Sequence, residues 1–162
     1  MKAGIDRAGC IGASTKIIRQ AKLDKWRMEG GQPTARPDLN GLLLGRGSYA
    51  GNLLATAAWQ HQRDMAAIGK ATKIRRWPVL PQIPDVSYDL VQNRVVVTAA
   101  FLQPPLFDPN ADTAQHFGAL GALIGHQLHY AFDTKGRTID PDGQLRDWWT
   151  PADATPFTAE AK

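Results

Sequence analysis

"GALIGHQLHYAFDTKG", residues 121–136, sets two histidines three apart in an apolar run punctuated by glycines. Read outward, Asp112 or Asn110 can cap a helix predicted over about 112–132, in which Phe117, Leu120, Leu123, Ile124 and Leu128 recur at core spacing. Gly118, Gly121 and Gly125 each cost such a helix about 1 kcal/mol relative to alanine, which predicts close backbone packing as compensation. On a helix, residues three apart stand about 60° around the axis and roughly 4.5 Å along it, so His126 and His129 can approach one ion. Asp133, seven residues beyond His126, falls near the same face. These three are therefore candidate metal ligands. The alternative is a set of partly buried polar groups, with Tyr130 and Asp133 hydrogen-bonded to each other.

Upstream, residues 1–13 are glycine-rich and unpatterned and read as a loose arm. Ser14 or Thr15 can cap a helix with a stripe of Ile17, Ile18, Ala21 and Trp26, which "EGGQPTARPD" then breaks. A second helix is predicted from Ser48, with Leu53, Leu54, Ala57, Met65 and Ile68 at helical spacing and Gly69 as its stop. "KATKIRRWPVLPQIP" is a proline-broken, basic connection. "DVSYDL" and "RVVVTAA" form a hairpin candidate, followed by the crossover "LQPPLFDPNAD". Downstream, "GRTIDPDGQLRDWWTPAD" reads as turns with a tryptophan pair, Trp148 and Trp149, which can form a binding platform or serve a structural role in packing the loop onto the core. "IDPDGQL" lacks the later acidic groups of a calcium loop, and residues 156–162 read as a tail. His61 and His116 are isolated and suit surface or capping roles.

The chain of 162 residues, 43% hydrophobic, is long enough for one domain with a core. Its formal charge of +4 is a mild basic excess spread along the chain, so nucleic-acid binding is not expected. A single cysteine, Cys10, excludes an intramolecular disulfide and a cysteine-based zinc cluster. The sequence holds no apolar run of membrane-spanning length and no visible export signal, from which we expect no membrane partner and a cytoplasmic location.

The run from "FLQPPLFDPNAD" through "GHQLHYAFDTKG" to "DGQLRDWWT" resembles the catalytic domain of the neprilysin and endothelin-converting enzyme family of zinc metallopeptidases. That family carries a stretch like "LQPPFFD", a glycine-rich helix with "GHExxHGFDDxG", and "WWT". The likeness extends backward through "YDLVQNRVVVTAA" to "NLLATAAWQHQRDMAAIGKATKIRRW", covering roughly residues 20–155 in order.

By this resemblance His126 matches the first zinc histidine. Gln127 stands where the family places the glutamate that activates water, and a neutral carboxamide cannot serve as that base. Tyr130 replaces the second zinc histidine, with His129 one place early, and Asp133 matches the aspartate that orients that histidine. The substrate-gripping "N-A-Y/F" of the family's edge strand aligns with Asp85, Val86 and Ser87. An aspartate in place of the asparagine accepts hydrogen bonds but cannot donate them. The family's third zinc ligand lies some sixty residues further on, beyond Lys162.

The resemblance implies an α+β fold in the manner of a truncated zincin: an arm at 1–13, a catalytic-domain segment over 14–155 and a tail at 156–162. It implies a non-catalytic relative with no cofactor, holding a peptide or protein along the old groove by strand addition near Val95–Thr98, with a homo-oligomer compatible. Its rival is a metal-dependent hydrolase using zinc at His126, His129 and Asp133.

Overall fold

The computed structural model describes residues 3, 7, 11–34, 38–70, 77 and 79–160. Most of the expected arm and residues 71–76 of the basic connection lie outside the described residues. The chain divides into two units, Thr34–Arg76 and the remainder. The observed mixture of helices around a small sheet is the expected α+β architecture.

In the larger unit, helix α1 covers Ala13–Asp24, beginning at Gly12 without a side-chain cap rather than at Ser14 or Thr15. Asp153, from the far end of the chain, supplies the missing acceptor: it takes the Gly12 N–H at 2.8 Å and the Thr15 hydroxyl at 2.5 Å. Strand β1, Arg27–Gly31, follows. Its two glycines and lack of alternation hid it in the sequence.

In the smaller unit, helix α2 spans Tyr49–Ala67, with the Ser48 hydroxyl accepting from Gly51 N–H at 3.0 Å, as expected of a cap. Leu53, Leu54, Met65 and Ile68, which mark the helical spacing, are exposed, and no residue of α2 is buried. Trp59 Nε1 donates to the Asn40 carbonyl at 3.0 Å, and the Arg63 guanidinium lies over the Trp59 ring.

Strands β2, Val86–Asp89, and β3, Arg94–Thr98, form the anticipated hairpin. Asn93 occupies the left-handed region at φ 49°, which asparagine tolerates, and its side chain bonds both the Tyr88 hydroxyl and the Lys22 carbonyl at 2.6 Å. The sheet order is β1-β3-β2, with β1 parallel to β3 from Arg27 against Arg94 to Gly31 against Thr98. Every residue of β3 is buried because it is the central strand. This corrects one expectation: Val95–Thr98 is paired on both sides and has no edge to offer, and the hairpin's free edge belongs to β2.

Because side chains alternate along strands, Arg94, Val96 and Thr98 share one sheet face with Glu29 of β1 and with Asp85, Ser87 and Asp89 at β2. Buried Arg94 links this face, donating to Glu29 at 2.8 Å and lying 3.4 Å from Asp89. Burial disfavours the Glu29 carboxylate, but bonds from Arg94 and Trp77 outweigh it and hold its pKa below the ordinary value.

The core is built from Ala131, Phe132, Trp148 and Trp149, with Ile18, Leu23, Tyr88, Leu128, Ala154 and Phe157 packed against it. Of the core candidates in the histidine segment, Phe117 and Leu123 are exposed, as is Ile17 of the α1 stripe. A Cβ on Gly118 or Gly125 would meet open space, so the predicted close backbone packing is absent there. The expected tail is helical, α5 covering Pro151–Glu160. No helix among the described residues is long and apolar enough to cross a membrane.

Candidate functional site

The histidine segment is a broken helix. Asp112 caps α3, Thr113–His116, by accepting from Gln115 N–H at 2.7 Å; a π-helical turn follows over Phe117–Gly121, and α4 runs from Ala122 to His129. Helix α4 packs on β2 and β3, which brings the histidine segment beside the hairpin. His116 bonds the Asp108 carbonyl at 2.6 Å and stacks on Phe107, a local role as expected.

His126 and His129 are both exposed, and Gln127 is half-buried between them. One turn beyond His126, the Tyr130 hydroxyl shares a hydrogen bond with His126 Nε2 at 3.2 Å, the rings meeting edge to face at 79°. Tyr130 therefore bonds His126 rather than Asp133. Asp133 folds back on its own turn, Oδ1 accepting from the N–H groups of Lys135 at 2.9 Å and Gly136 at 2.7 Å.

Zinc needs three or four converging donors, each at about 2.0–2.3 Å. Among the described residues no three His, Cys, Asp or Glu side chains gather in that way, His126, His129 and Asp133 included. With Tyr130 at one ring nitrogen and Asp133 holding backbone amides, the residues present do not fit the metal that the motif suggests.

Below this turn lies a residue that sequence reasoning missed. Lys22 is fully buried, its ammonium donating to the carbonyls of Gly136 at 2.8 Å and Ile139 at 2.7 Å and lying near the Trp148 ring. Burial pushes its pKa down to about 8 against the pull of Asp140 and Asp133. The available signal was its place on the line Thr15, Ile18, Lys22 of α1, a lysine on the buried face. A Cβ on Gly136 would stand 2.1 Å from the Tyr130 carbonyl oxygen, so glycine is required where the chain turns against the end of α4.

"IDPDGQL" is a plain turn: Asp140 accepts from Asp142 and Gln144 N–H, and Gly143 sits at φ 77°. Trp148 donates to the Ile139 carbonyl at 3.0 Å, so the tryptophan pair does fasten this loop to the core.

At the start of β2, Asp85 and Thr98 are locked together: Thr98 N–H donates to the Asp85 carbonyl at 3.0 Å and Asp85 N–H to the Thr98 hydroxyl at 2.9 Å. Backbone direction alternates along an antiparallel strand, so the amides and carbonyls of Val86 and Tyr88 point away from β3. No further strand pairs there among the described residues. Asp85 Oδ2 and Ser87 Oγ are buried with no hydrogen-bond partner among the described residues.

The model of peptidase family M13 matches residues 86–162. Human endothelin-converting enzyme 1 is 31% identical over 105 residues, 65% of this chain and 13% of that protein. The crystal structure of Mycobacterium tuberculosis zinc metalloprotease Zmp1 with an inhibitor superposes with a TM-score of 0.89 at 35% identity, covering 98% of this chain and 24% of that one. PepO from Lactobacillus rhamnosis gives 0.87 at 26% identity, with 98% and 25% covered. The chain thus spans about an eighth of the curated relative's length and about a quarter of the two solved structures. On the family-model match over residues 86–162 and the 35% identity with Zmp1 over 98% of this chain, it belongs to peptidase family M13.

Proposed function

We propose that this chain is a non-catalytic M13-family segment that holds an extended peptide along the outer edge of β2. The carrying observation is the pairing of His126 with Tyr130, with Gln127 between them. The residue one turn after His126 offers a phenol in place of an imidazole, and the neighbouring carboxamide cannot accept the proton of an attacking water. No step of hydrolysis is therefore assigned to these residues, and zinc is not expected to be a resident cofactor.

Peptide holding is supported by the outward amides and carbonyls of Val86 and Tyr88, which match the backbone of an added strand. Titration with unstructured peptides, followed through amide shifts of Val86 and Tyr88, tests it. Saturable binding with shifts centred on β2 is expected; no saturation at millimolar peptide removes the proposal.

A further inference from the structure

Resting on that reading of β2 as a peptide-holding edge, we infer that Asp85 makes the edge selective for peptides bearing a cationic side chain beside it. Asp85 and Ser87 project from the same sheet face, and a peptide added to β2 presents alternate side chains on that face. The other carboxylates there are already matched. Asp89 has Arg94 at 3.4 Å and accepts from Val91 and Gln92 N–H, while Glu29 holds Arg94 and Trp77. Asp85 has no cation partner among the described residues, and its Oδ2 is withdrawn from water without a hydrogen bond, beside an equally unpartnered Ser87 hydroxyl. A partly buried carboxylate without a cation partner is costly, and a lysine or arginine from an adjacent strand meets that charge. The Asp85 backbone is fixed by Thr98, so the carboxylate is held at one position along the edge and should select a cation at one register of the peptide.

The test uses the full chain and capped nine-residue peptides of threonine, valine and serine. Lysine is scanned through each position, with norleucine at the same position as the uncharged counterpart. About tenfold tighter binding is expected for lysine at one register, fading as salt rises, and the ratio should fall below about twofold in Asp85→Asn. Equal binding of the lysine and norleucine peptides to the wild-type chain at every position overturns the selectivity and leaves peptide holding in place. A lysine preference undiminished in Asp85→Asn also overturns it. Absence of binding by every peptide removes the peptide-holding reading and the selectivity together.

Discussion

Nε2 of His126 and the hydroxyl of Tyr130 lie 3.2 Å apart across one turn at the end of α4. That hydrogen bond occupies the ring nitrogen one turn before the position where a metal-binding helix of this kind needs a second imidazole. A metal at Nε2 would have to displace a phenol that offers little in return, and Asp133 holds the backbone of its own turn instead of a neighbouring ligand. His126 and Tyr130 thus satisfy each other.

Lys22 gives the fold a pH signature in the alkaline range. Its folded pKa, about 8, lies below its ordinary 10.5, so the unfolded chain holds the extra proton between those values and stability rises with pH across that window. The contribution is complete above about 10.5 and gone below about 8. Urea midpoints of wild type and Lys22→Met, compared from pH 7.5 to 10.5, should diverge in favour of wild type by on the order of 3 kcal/mol. Parallel curves would show that the buried ammonium is not strained.

Two glycines on either side of the histidines should respond oppositely. Gly136→Ala drives a methyl into the Tyr130 and Ala131 carbonyls and should cost about 3 kcal/mol, whereas Gly125→Ala meets open space on an exposed helix and should gain about 1 kcal/mol. Thermal unfolding of the two variants reads both. A neutral Gly136→Ala would mean that the turn after α4 is not held where Lys22 meets it.

Asp153 fastens α5 to the start of α1. Hydrogen bonds from Thr15, Gly12 and Thr150 hold its carboxyl below the ordinary range, so its contribution is present above pH 4 and lost as pH falls through the lowered value. Asp153→Asn should lower stability at pH 6 by about 1–3 kcal/mol, with the difference closing toward pH 2. Acid unfolding followed by tryptophan fluorescence, with Trp149 beside Phe157 of α5, reports it.

Local chemistry was legible wherever a short-range rule governs. Ser48 and Asp112 cap as their positions suggest and Asn93 turns the hairpin, whereas the expected bond between Tyr130 and Asp133 gives way to the i to i+4 pair of Tyr130 with His126. Illegible features depend on distant partners. "RMEGG" becomes a strand only because β3 templates it, and α5 carries Pro156 inside it. The buried charges of Lys22 and Arg94 answer to carbonyls and carboxylates remote in sequence. Phe117 and Leu123 follow helical periodicity yet remain exposed, because an apolar face records the wish for a cover without saying what supplies it.

Zinc content and peptide cleavage, measured together on untagged protein incubated with equimolar zinc, test the proposed non-catalytic reading most directly. Substoichiometric metal and no chelator-sensitive cleavage are expected. One bound zinc per chain, with turnover abolished by chelator and by His126→Ala, would contradict that reading.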